Sequence, residues 1–365
     1  MRVLMISTDR TLLGQAGIGD AVSRHQEYAK QVERLDILVL VRKHQESNQL
    51  AENSLVLPLY LWNLKVLAGK VHQQNRYDLV VCQDPFLTAK VGVYLKKKFG
   101  VKLIIHFHGD FLDNPYWLRE QWQNRFYRRM AEYNIKFADS IRVVSEGIKQ
   151  KLIKRGVLAH NIYKISTPVN LAQFAAPPVE KLSDKKNVLT VGRVVKAKDF
   201  PTLFKTAKAI YQAVPDFEWQ IIGNGPLLKK FQAITKDQPY IKWLGLIDHS
   251  QLTNYYQQAK VVVLTSNNES FGKVFLEAAM SGVPAVATNT VGAQEIIKDG
   301  ESGYIVPIGD WQSLAEKIIY LLNNPAIAQA MGQRAKEIIS TNFDPSKNIT
   351  LIISMWRQTA GSRLK

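Results

Sequence analysis

The sequence predicts an α/β protein of two Rossmann-like domains, each built on a doubly wound parallel sheet, that face each other across a cleft. Three observations predict this fold class. The chain has 365 residues, which suits two domains of ordinary size. Short apolar segments alternate with helical segments in both halves, as in parallel sheets covered by helices. A proline pair, Pro177 and Pro178, interrupts this alternation near the middle of the chain.

The first half contains seven short apolar segments that are typical of strands. They are residues 2–7, 36–41, 56–60, 77–83, 102–107, 138–145 and 162–165. Ligands of parallel sheets bind at the carboxyl ends of the strands. We therefore expect His106 and His108 at the functional edge of the sheet, with Gln83 and Asp84 beside them. A purely structural histidine is the alternative interpretation.

The second half repeats the pattern with six apolar segments. The predicted strands are residues 187–192, 217–222, 241–244, 261–264, 285–288 and 304–307. Predicted helices follow at residues 311–323, 326–340 and 348–356. We place the first domain at residues 1–172 and the second at residues 173–344. The last helix, about residues 345–365, is expected to pack back on the first domain.

The composition limits the classes of protein to consider. The formal net charge is +17, and residues 1–175 contribute +11 of it. This bias favours contact with anions such as phosphorylated substrates, anionic lipid or nucleic acid. No nucleic-acid-binding motif accompanies the charge, so that alternative depends on charge alone. The single cysteine, Cys82, excludes an internal disulfide, and the apolar runs are too short to span a bilayer. A cytoplasmic location is expected.

The stretch of residues 269–288 carries two carboxylates in different predicted surroundings. Glu269 follows a polar loop, whereas Glu277 lies in a helix that ends near Gly282. Eight residues of ideal helix would separate the acids by about 12 Å along the axis, so they would serve different parts of one elongated ligand. The helix N-terminus between them suits a phosphate. Such a ligand is a sugar nucleotide; two solvated glutamates on a surface helix are the alternative.

Two predicted loops could contact a diphosphate. Arg193 and Lys198 follow a predicted strand, where two cations can flank one diphosphate. Gly223 opens another tight turn. Gly17 and Gly19 lie between a strand and a helix, where backbone amides could approach phosphates closely. Their spacing is neither the dinucleotide fingerprint nor a P-loop, so an ordinary loop is an equal alternative.

Residues 116–130 are predicted to form one helix with an unusual surface. Its apolar stripe consists of Leu118, Trp122, Phe126 and Met130. The arginines on its flanks are Arg119, Arg125, Arg128 and Arg129. Aromatic residues beside arginines favour a helix that lies in a membrane interface. A helix packed on its own sheet with solvated arginines is the alternative.

Together these motifs resemble glycosyltransferase family 4, which has the GT-B fold. Glu269 and Glu277 resemble its E-x7-E motif, and Arg193 with Lys198 resembles its G-R-x4-K loop. The other matching segments are residues 223–226, 271–272, 277–284 and 299–300. The match is dense across residues 190–305 and sparser in the first half. The departures are Asp199 and Val291, where glycine is usual, and Ile18, which separates Gly17 from Gly19.

The resemblance implies a role for each matched residue. Arg193 and Lys198 would bind the donor pyrophosphate and stabilise the departing nucleoside diphosphate. Glu269 would contact the sugar hydroxyls, Glu277 the ribose and His108 the transferred sugar. The implied catalytic residues are His108, Arg193, Lys198 and Glu269. The implied donor-binding residues further include Gly17, Gly19, Gly223, Leu246, Ser270, Phe271, Gly272 and Glu277.

The resemblance also implies a reaction and its partners. It predicts a retaining, hexosyltransferase-type enzyme that needs no metal, since the chain has no Asp-x-Asp motif and cations can neutralise the leaving group. No cofactor is expected. The donor would be a UDP-sugar, or else a GDP-sugar, and the acceptor a lipid-linked saccharide in surface polysaccharide or glycolipid synthesis. The enzyme would then be peripheral on the inner face of the plasma membrane. A GT-B sugar-nucleotide epimerase is the competing enzyme class.

Overall fold

The computed structural model describes residues 1–14, 21–175 and 185–361. The chain divides into two compact units, Met1–Pro168 with Pro345–Lys365, and Val169–Asp344. The structural boundary lies four residues before the one placed from the sequence. Pro177 and Pro178 lie outside the described residues.

The first unit is built on an eight-stranded sheet. Its strands are β1 Arg2–Ser7, β2 Arg34–Val41, β3 Asn48–Ala51, β4 Ser54–Tyr60, β5 Leu79–Cys82, β6 Lys102–Phe107, β7 Ser140–Val143 and β8 Ile162–Lys164. Their spatial order is β3-β4-β2-β1-β5-β6-β7-β8. All neighbours pair in parallel except β3, which is antiparallel to β4. The sequence did not predict β3, because its short polar segment lacks the apolar run of a buried strand.

Among the described residues before Val169, this unit contains six α-helices. They are α1 Ala21–Ala29, α2 Leu64–Asn75, α3 Leu87–Phe99, α4 Pro115–Glu120, α5 Gln123–Asn134 and α6 Glu146–Lys154. Short 3-10 helices occur at Arg10–Leu13, Ile135–Phe137 and Ala159–Asn161.

The prediction of one continuous helix over residues 116–130 is wrong. Gln121 is extended, with φ −142° and ψ 139°, and it separates α4 from α5. The Asn124 side-chain amide donates to the Trp117 carbonyl at 2.6 Å. In a continuous helix that carbonyl would accept from the Gln121 amide, so the side chain replaces a backbone hydrogen bond at the break.

The second unit is built on a six-stranded parallel sheet. Its strands are β9 Lys186–Val191, β10 Phe217–Ile222, β11 Ile241–Gly245, β12 Val261–Leu264, β13 Ala285–Thr288 and β14 Gly303–Val306. The order is β11-β10-β9-β12-β13-β14. The chain thus builds outward from β9 in one direction and then crosses to β12 on its other side. The boundary between β9 and β12 is the topological switch point, where open α/β sheets bind their ligands.

The helices of the second unit follow its strands, as the sequence predicts for a doubly wound sheet. They are α7 Phe200–Ala213, α8 Leu228–Ile234, α9 Leu252–Gln258, α10 Lys273–Met280, α11 Val291–Ile296, α12 Trp311–Asn323 and α13 Pro325–Asn342. Short 3-10 helices occur at Ala172–Ala175, Lys196–Lys198 and His249–Gln251.

The last helix, α14 Pro345–Ala360, belongs to the core of the first unit. Ile352 and Trp356 are completely buried among the side chains of β1, β2 and β5. The ring of Trp356 meets Tyr28 of α1 edge-on, with centroids 5.4 Å apart. Apolar side chains from the end of the chain therefore fill one face of the first sheet.

Candidate functional site

The loop after β9 holds both predicted cations of the second unit. It is hydrogen-bonded to the loop after β10, because the Val194 amide donates to the Asn224 carbonyl at 2.9 Å. Arg193 is exposed in this loop. The stem of Lys198 folds back over Gly192, where an added Cβ would lie 3.3 Å from the lysine Cε. Arg193 and Lys198 therefore both lie at the carboxyl end of β9.

Lys198 forms an ion pair with Glu269, which lies in the loop after β12. The lysine Nζ and the glutamate Oε2 are 2.5 Å apart, and both side chains are mostly shielded, with 17% and 19% exposure. Backbone contacts fix the two loops to each other: the Asn267 amide donates to the Ala197 carbonyl at 2.9 Å. Thr265 Oγ1 donates to the Lys198 carbonyl at 2.7 Å. The structure thus joins one predicted cation and one predicted acid across the switch point.

Gly223 allows the loops after β9, β10 and β11 to pack closely. Its φ is +145°, and an added Cβ would lie 1.9 Å from the Gly192 carbonyl oxygen. Its amide donates to the Gly245 carbonyl at 2.7 Å. Leu246 follows that carbonyl and is 57% exposed. Backbone packing at this edge therefore requires a glycine at position 223, independently of any contact that Gly223 makes with a ligand.

Asp199, the departure from the family pattern, has a left-handed backbone. Its φ is +44° and its ψ is 55°, a conformation in which glycine is usual. The aspartate compensates locally, because its Oδ2 accepts a hydrogen bond from Thr202 Oγ1 at 2.7 Å. The loop after Lys198 therefore keeps the conformation that a glycine would allow.

Glu269 lies in the loop before α10, as expected from the sequence, and α10 is capped by Gly272 with φ +72°. Phe271 is 6% exposed and its ring packs on Phe343, so its side chain is unavailable to a ligand and only its backbone could contact one. Ser270 is half-buried. Of this group, Glu269, Ser270 and the backbone near Gly272 remain candidate ligand contacts.

Val291 is the first residue of α11, and the close backbone contact at this point is made by the following Gly292. The Gly292 amide donates to the Glu269 carbonyl at 2.9 Å. An added Cβ on Gly292 would lie 2.8 Å from the Phe271 amide nitrogen. Gly292 was not identified from the sequence as a site residue, although it is the second glycine of the pair that the family often has.

Glu277 is buried on α10, and its contacts differ from those of Glu269. Its Oε2 accepts a 2.6 Å hydrogen bond from Tyr256, and its Oε1 lies 3.6 Å from Nε2 of His249. Burial, and then the charge of Glu277, raise the pKa of Tyr256 well above 10. The tyrosine therefore keeps its proton and donates. Tyr256 and His249 were not identified from the sequence, because only the tertiary structure brings them to Glu277.

His108 follows β6 in the first unit and is exposed. Its Nε2 lies 2.9 Å from the side-chain oxygen of Gln83, which follows β5. His106 is buried behind it, with ring centroids 5.5 Å apart. Burial, then Arg142 and His108, lower the pKa of His106 well below 6.5, so His106 is neutral. Gln83 and His108 thus meet at the carboxyl edge of the first sheet.

Gly17 and Gly19 lie outside the described residues. Within the described parts of the chain, no group of three or more His, Cys, Asp and Glu side chains could hold a metal ion.

The α5 helix presents an exposed aromatic and basic face. Trp122, the residue before α5, is 81% exposed, and Phe126 and Tyr133 on the helix are 60% and 50% exposed. Arg125 and Arg129 on the same helix are also exposed. Over residues 1–14, 21–175 and 185–361, the structure contains no helix with the length and hydropathy needed to cross a bilayer.

Two family models match consecutive parts of the chain. The model for "Glycosyltransferase Family 4" matches residues 24–173, and the model for "Glycosyl transferases group 1" matches residues 173–338.

Sequence relatives include glycosyltransferases of bacteria and archaea. An uncharacterized glycosyltransferase of Methanocaldococcus jannaschii is 27% identical over 76% of this chain and 75% of its own. The 2-deoxystreptamine N-acetyl-D-glucosaminyltransferase of Niallia circulans is 28% identical over 77% of this chain and 75% of its own. The capsular polysaccharide biosynthesis glycosyltransferase CapM of Staphylococcus aureus is 27% identical over 56% and 58%, respectively.

Solved structures show the same fold at low identity. Sucrose-phosphate synthase from Thermosynechococcus elongatus matches with a TM-score of 0.83 and 21% identity over the full length of both chains. HepE from Anabaena, solved in complex with UDP, matches with a TM-score of 0.77 and 19% identity over 98% of this chain and 100% of its own. The family models and the sequence relatives show that the chain belongs to glycosyltransferase family 4, and the likeness to the solved structures shows the GT-B fold.

Proposed function

We propose that this chain is a retaining hexosyltransferase that transfers a sugar from a UDP-sugar, or failing that a GDP-sugar, to a lipid-linked saccharide. The observation that carries the proposal is the Lys198–Glu269 pair at the switch point of the second sheet. A cation and a carboxylate held side by side suit a ligand whose phosphate adjoins a hydroxyl-rich sugar. An acid or a base alone would not distinguish a nucleotide-sugar from other ligands.

Lys198 and Arg193 would hold the donor diphosphate. An ammonium group has three donors, and Glu269 occupies one direction around Lys198 Nζ, so the others can point to phosphate oxygens. The exposed Arg193 guanidinium would add a bidentate contact. Both groups would stabilise the negative charge that develops on the departing nucleoside diphosphate. Such electrostatic stabilisation of the transition state is usually the largest single contribution to catalysis.

Glu269 would then accept hydrogen bonds from the transferred sugar, and Glu277 from the ribose. His108, in the first unit, would contact the transferred sugar. Retention of the anomeric configuration is what the family resemblance implies for this transfer. Charge neutralisation by Arg193 and Lys198 makes a metal unnecessary in this proposal, so transfer is expected to continue in excess chelator.

The comparisons support the choice of donor and pathway. HepE, which shares the fold, was solved with UDP, and the Niallia circulans relative transfers an N-acetylglucosaminyl group according to its name. CapM is named for capsular polysaccharide biosynthesis. We accordingly favour a uridine nucleotide and a role in polysaccharide synthesis at the cytoplasmic face of the membrane. The exposed aromatic and basic face of α5 supports a lipid-linked acceptor.

A thermal-shift panel of UDP- and GDP-sugars tests the proposal. Bound ligand stabilises a protein according to its concentration relative to its dissociation constant, so the true donor should raise Tm most. The shift should disappear in Arg193→Ala and persist in Lys196→Ala, which removes an exposed cation from the same loop. Equal shifts in both variants, or none in the wild type, would refute the donor site. Conversion of free nucleotide-sugar without any acceptor would identify an epimerase instead.

A further inference from the structure

Glu277 is buried in a way that a purely structural carboxylate does not require. Its side chain is 7% exposed, and Nε2 of His249 lies 3.6 Å from its Oε1. Burial of a carboxylate is costly unless it is paired and hydrogen-bonded. A buried carboxylate held by a tyrosine and a histidine therefore indicates a ligand-directed role.

The tautomer of His249 follows from its neighbours. Gln173 Nε2 lies 3.1 Å from the His249 carbonyl oxygen, which can only accept, so this nitrogen is a donor. The same nitrogen lies 2.9 Å from Nδ1 of His249. Nδ1 therefore accepts, and the neutral ring carries its proton on Nε2. That nitrogen faces Glu277 Oε1 at 3.6 Å.

Aromatic packing fixes the rest of the cluster. Tyr256 is completely buried, and its hydroxyl donates to Glu277 Oε2 at 2.6 Å. Phe174, also completely buried, meets the rings of His249 and Tyr256 edge-on, each at 5.5 Å. The two oxygens of Glu277 therefore each face one donor, and an ionised carboxylate has about four acceptor directions.

We propose that Tyr256 and His249 are positioning residues of the donor site, which orient the Glu277 carboxylate so that its remaining acceptor directions meet the ribose hydroxyls. The inference rests on the proposed function and identifies what makes the site selective for ribonucleotides. The location agrees, because His249 opens a short helix three residues after Leu246, at the carboxyl end of β11. Gln173 anchors His249 from the 3-10 helix Ala172–Ala175 at the start of the second unit.

The test measures discrimination between UDP and 2′-deoxy-UDP by calorimetry. The wild type should bind UDP at least tenfold more tightly than the deoxynucleotide, the usual effect of losing hydrogen bonds to a charged group. Tyr256→Phe and His249→Leu should each weaken UDP binding about tenfold and leave 2′-deoxy-UDP binding nearly unchanged, so that the preference collapses. His249→Gln keeps a side-chain N–H and should restore part of it.

Tyr255→Phe is the matched control, because it removes the same atom from the neighbouring residue of α9 and should keep the full preference. His249 is partly exposed, so its variants test the inference even if Tyr256→Phe does not fold. Equal weakening of both nucleotides, or an unchanged preference in the variants, would overturn the inference and leave the proposed function intact. No binding of either nucleotide by the wild type would refute both.

Discussion

At the residue scale, Asp199 shows how a departure from a family pattern can keep the same backbone. Its left-handed conformation normally costs a non-glycine residue about 1–2 kcal/mol. The sequence reveals the substitution but not the conformation, because φ depends on how the loop after β9 meets α7. The proximity of Lys198 and Glu269 was more predictable, since parallel strands bring their carboxyl ends to one edge.

We predict that Asp199→Gly is more stable than Asp199→Ala by about 1 kcal/mol, since only alanine retains the unfavourable contacts of a Cβ at positive φ. Both changes remove the hydrogen bond from Thr202, so the comparison isolates the backbone term. Urea denaturation of the two variants measures it. Equal midpoints, or a more stable alanine variant, would show that this backbone conformation carries no strain.

Asp139 provides a test of electrostatic stability at the same scale. Burial raises the pKa of Asp139. Hydrogen bonds to its Oδ2 from Lys96 Nζ at 2.5 Å and from the Leu103 amide at 2.8 Å lower the pKa by more than burial raises it, so the net pKa lies below 3.8. A lowered folded-state pKa stabilises the protein above the unfolded value, and this stability disappears as pH falls through the folded value.

Asp139→Asn is therefore expected to lower the free energy of unfolding by about 1–2 kcal/mol at pH 7, the usual size for a hydrogen bond to a charged group. The difference from wild type should shrink below about pH 4, where the unfolded carboxyl is protonated. Asp237→Asn, at a highly exposed side chain, is the control and should have little effect at either pH. A difference that stays constant down to pH 2 would contradict this electrostatic account.

At the element scale, the sequence predicts most strands because buried parallel strands are continuous apolar runs. The segments β6, β10, β12 and β13 match the structure to the residue. The break between α4 and α5 was not predictable, because it depends on the Asn124 side chain reaching the Trp117 carbonyl. Likewise, the polar edge strand β3 forms only because β4 offers it a free edge.

The exposed face of α5 leads to a prediction about lipid binding. Arg125→Glu with Arg129→Glu should abolish binding to anionic vesicles, since basic residues near such a surface contribute about 1 kcal/mol each. Arg128 is left unchanged because it lies 3.7 Å from Glu132 and is half-buried. Vesicle sedimentation at low and physiological salt measures the effect. Unaltered binding by the double variant would contradict a role for α5. Lys205→Glu with Lys208→Glu, at two exposed positions of the second unit, is the charge-matched control.

At the scale of the whole molecule, the end of the chain stabilises its beginning. Trp356 of α14 lies fully buried among strands that are more than 270 residues earlier in the sequence. The amphipathic pattern of this helix predicts that it packs on a sheet, but it does not specify which one. That choice depends on the shape of the core around Tyr28.

Trp356→Ala should lower the unfolding free energy by about 3–5 kcal/mol, as expected for removal of a fully buried aromatic ring. Leu351→Ala on the same helix is the control, because Leu351 is 42% exposed and should cost far less. Chemical denaturation monitored by circular dichroism gives both values. A tryptophan variant as stable as the leucine variant would show that α14 does not contribute to the first core.

The most direct test of the donor site compares the binding of UDP and uridine by calorimetry. Lys198→Met and Arg193→Met should each weaken UDP binding about tenfold or more, because each removes a charged contact to the diphosphate. Neither change should alter the affinity for uridine, which lacks phosphate. Wild-type UDP affinity in both variants, or an equal loss for uridine, would contradict the claim that these two cations bind the donor diphosphate.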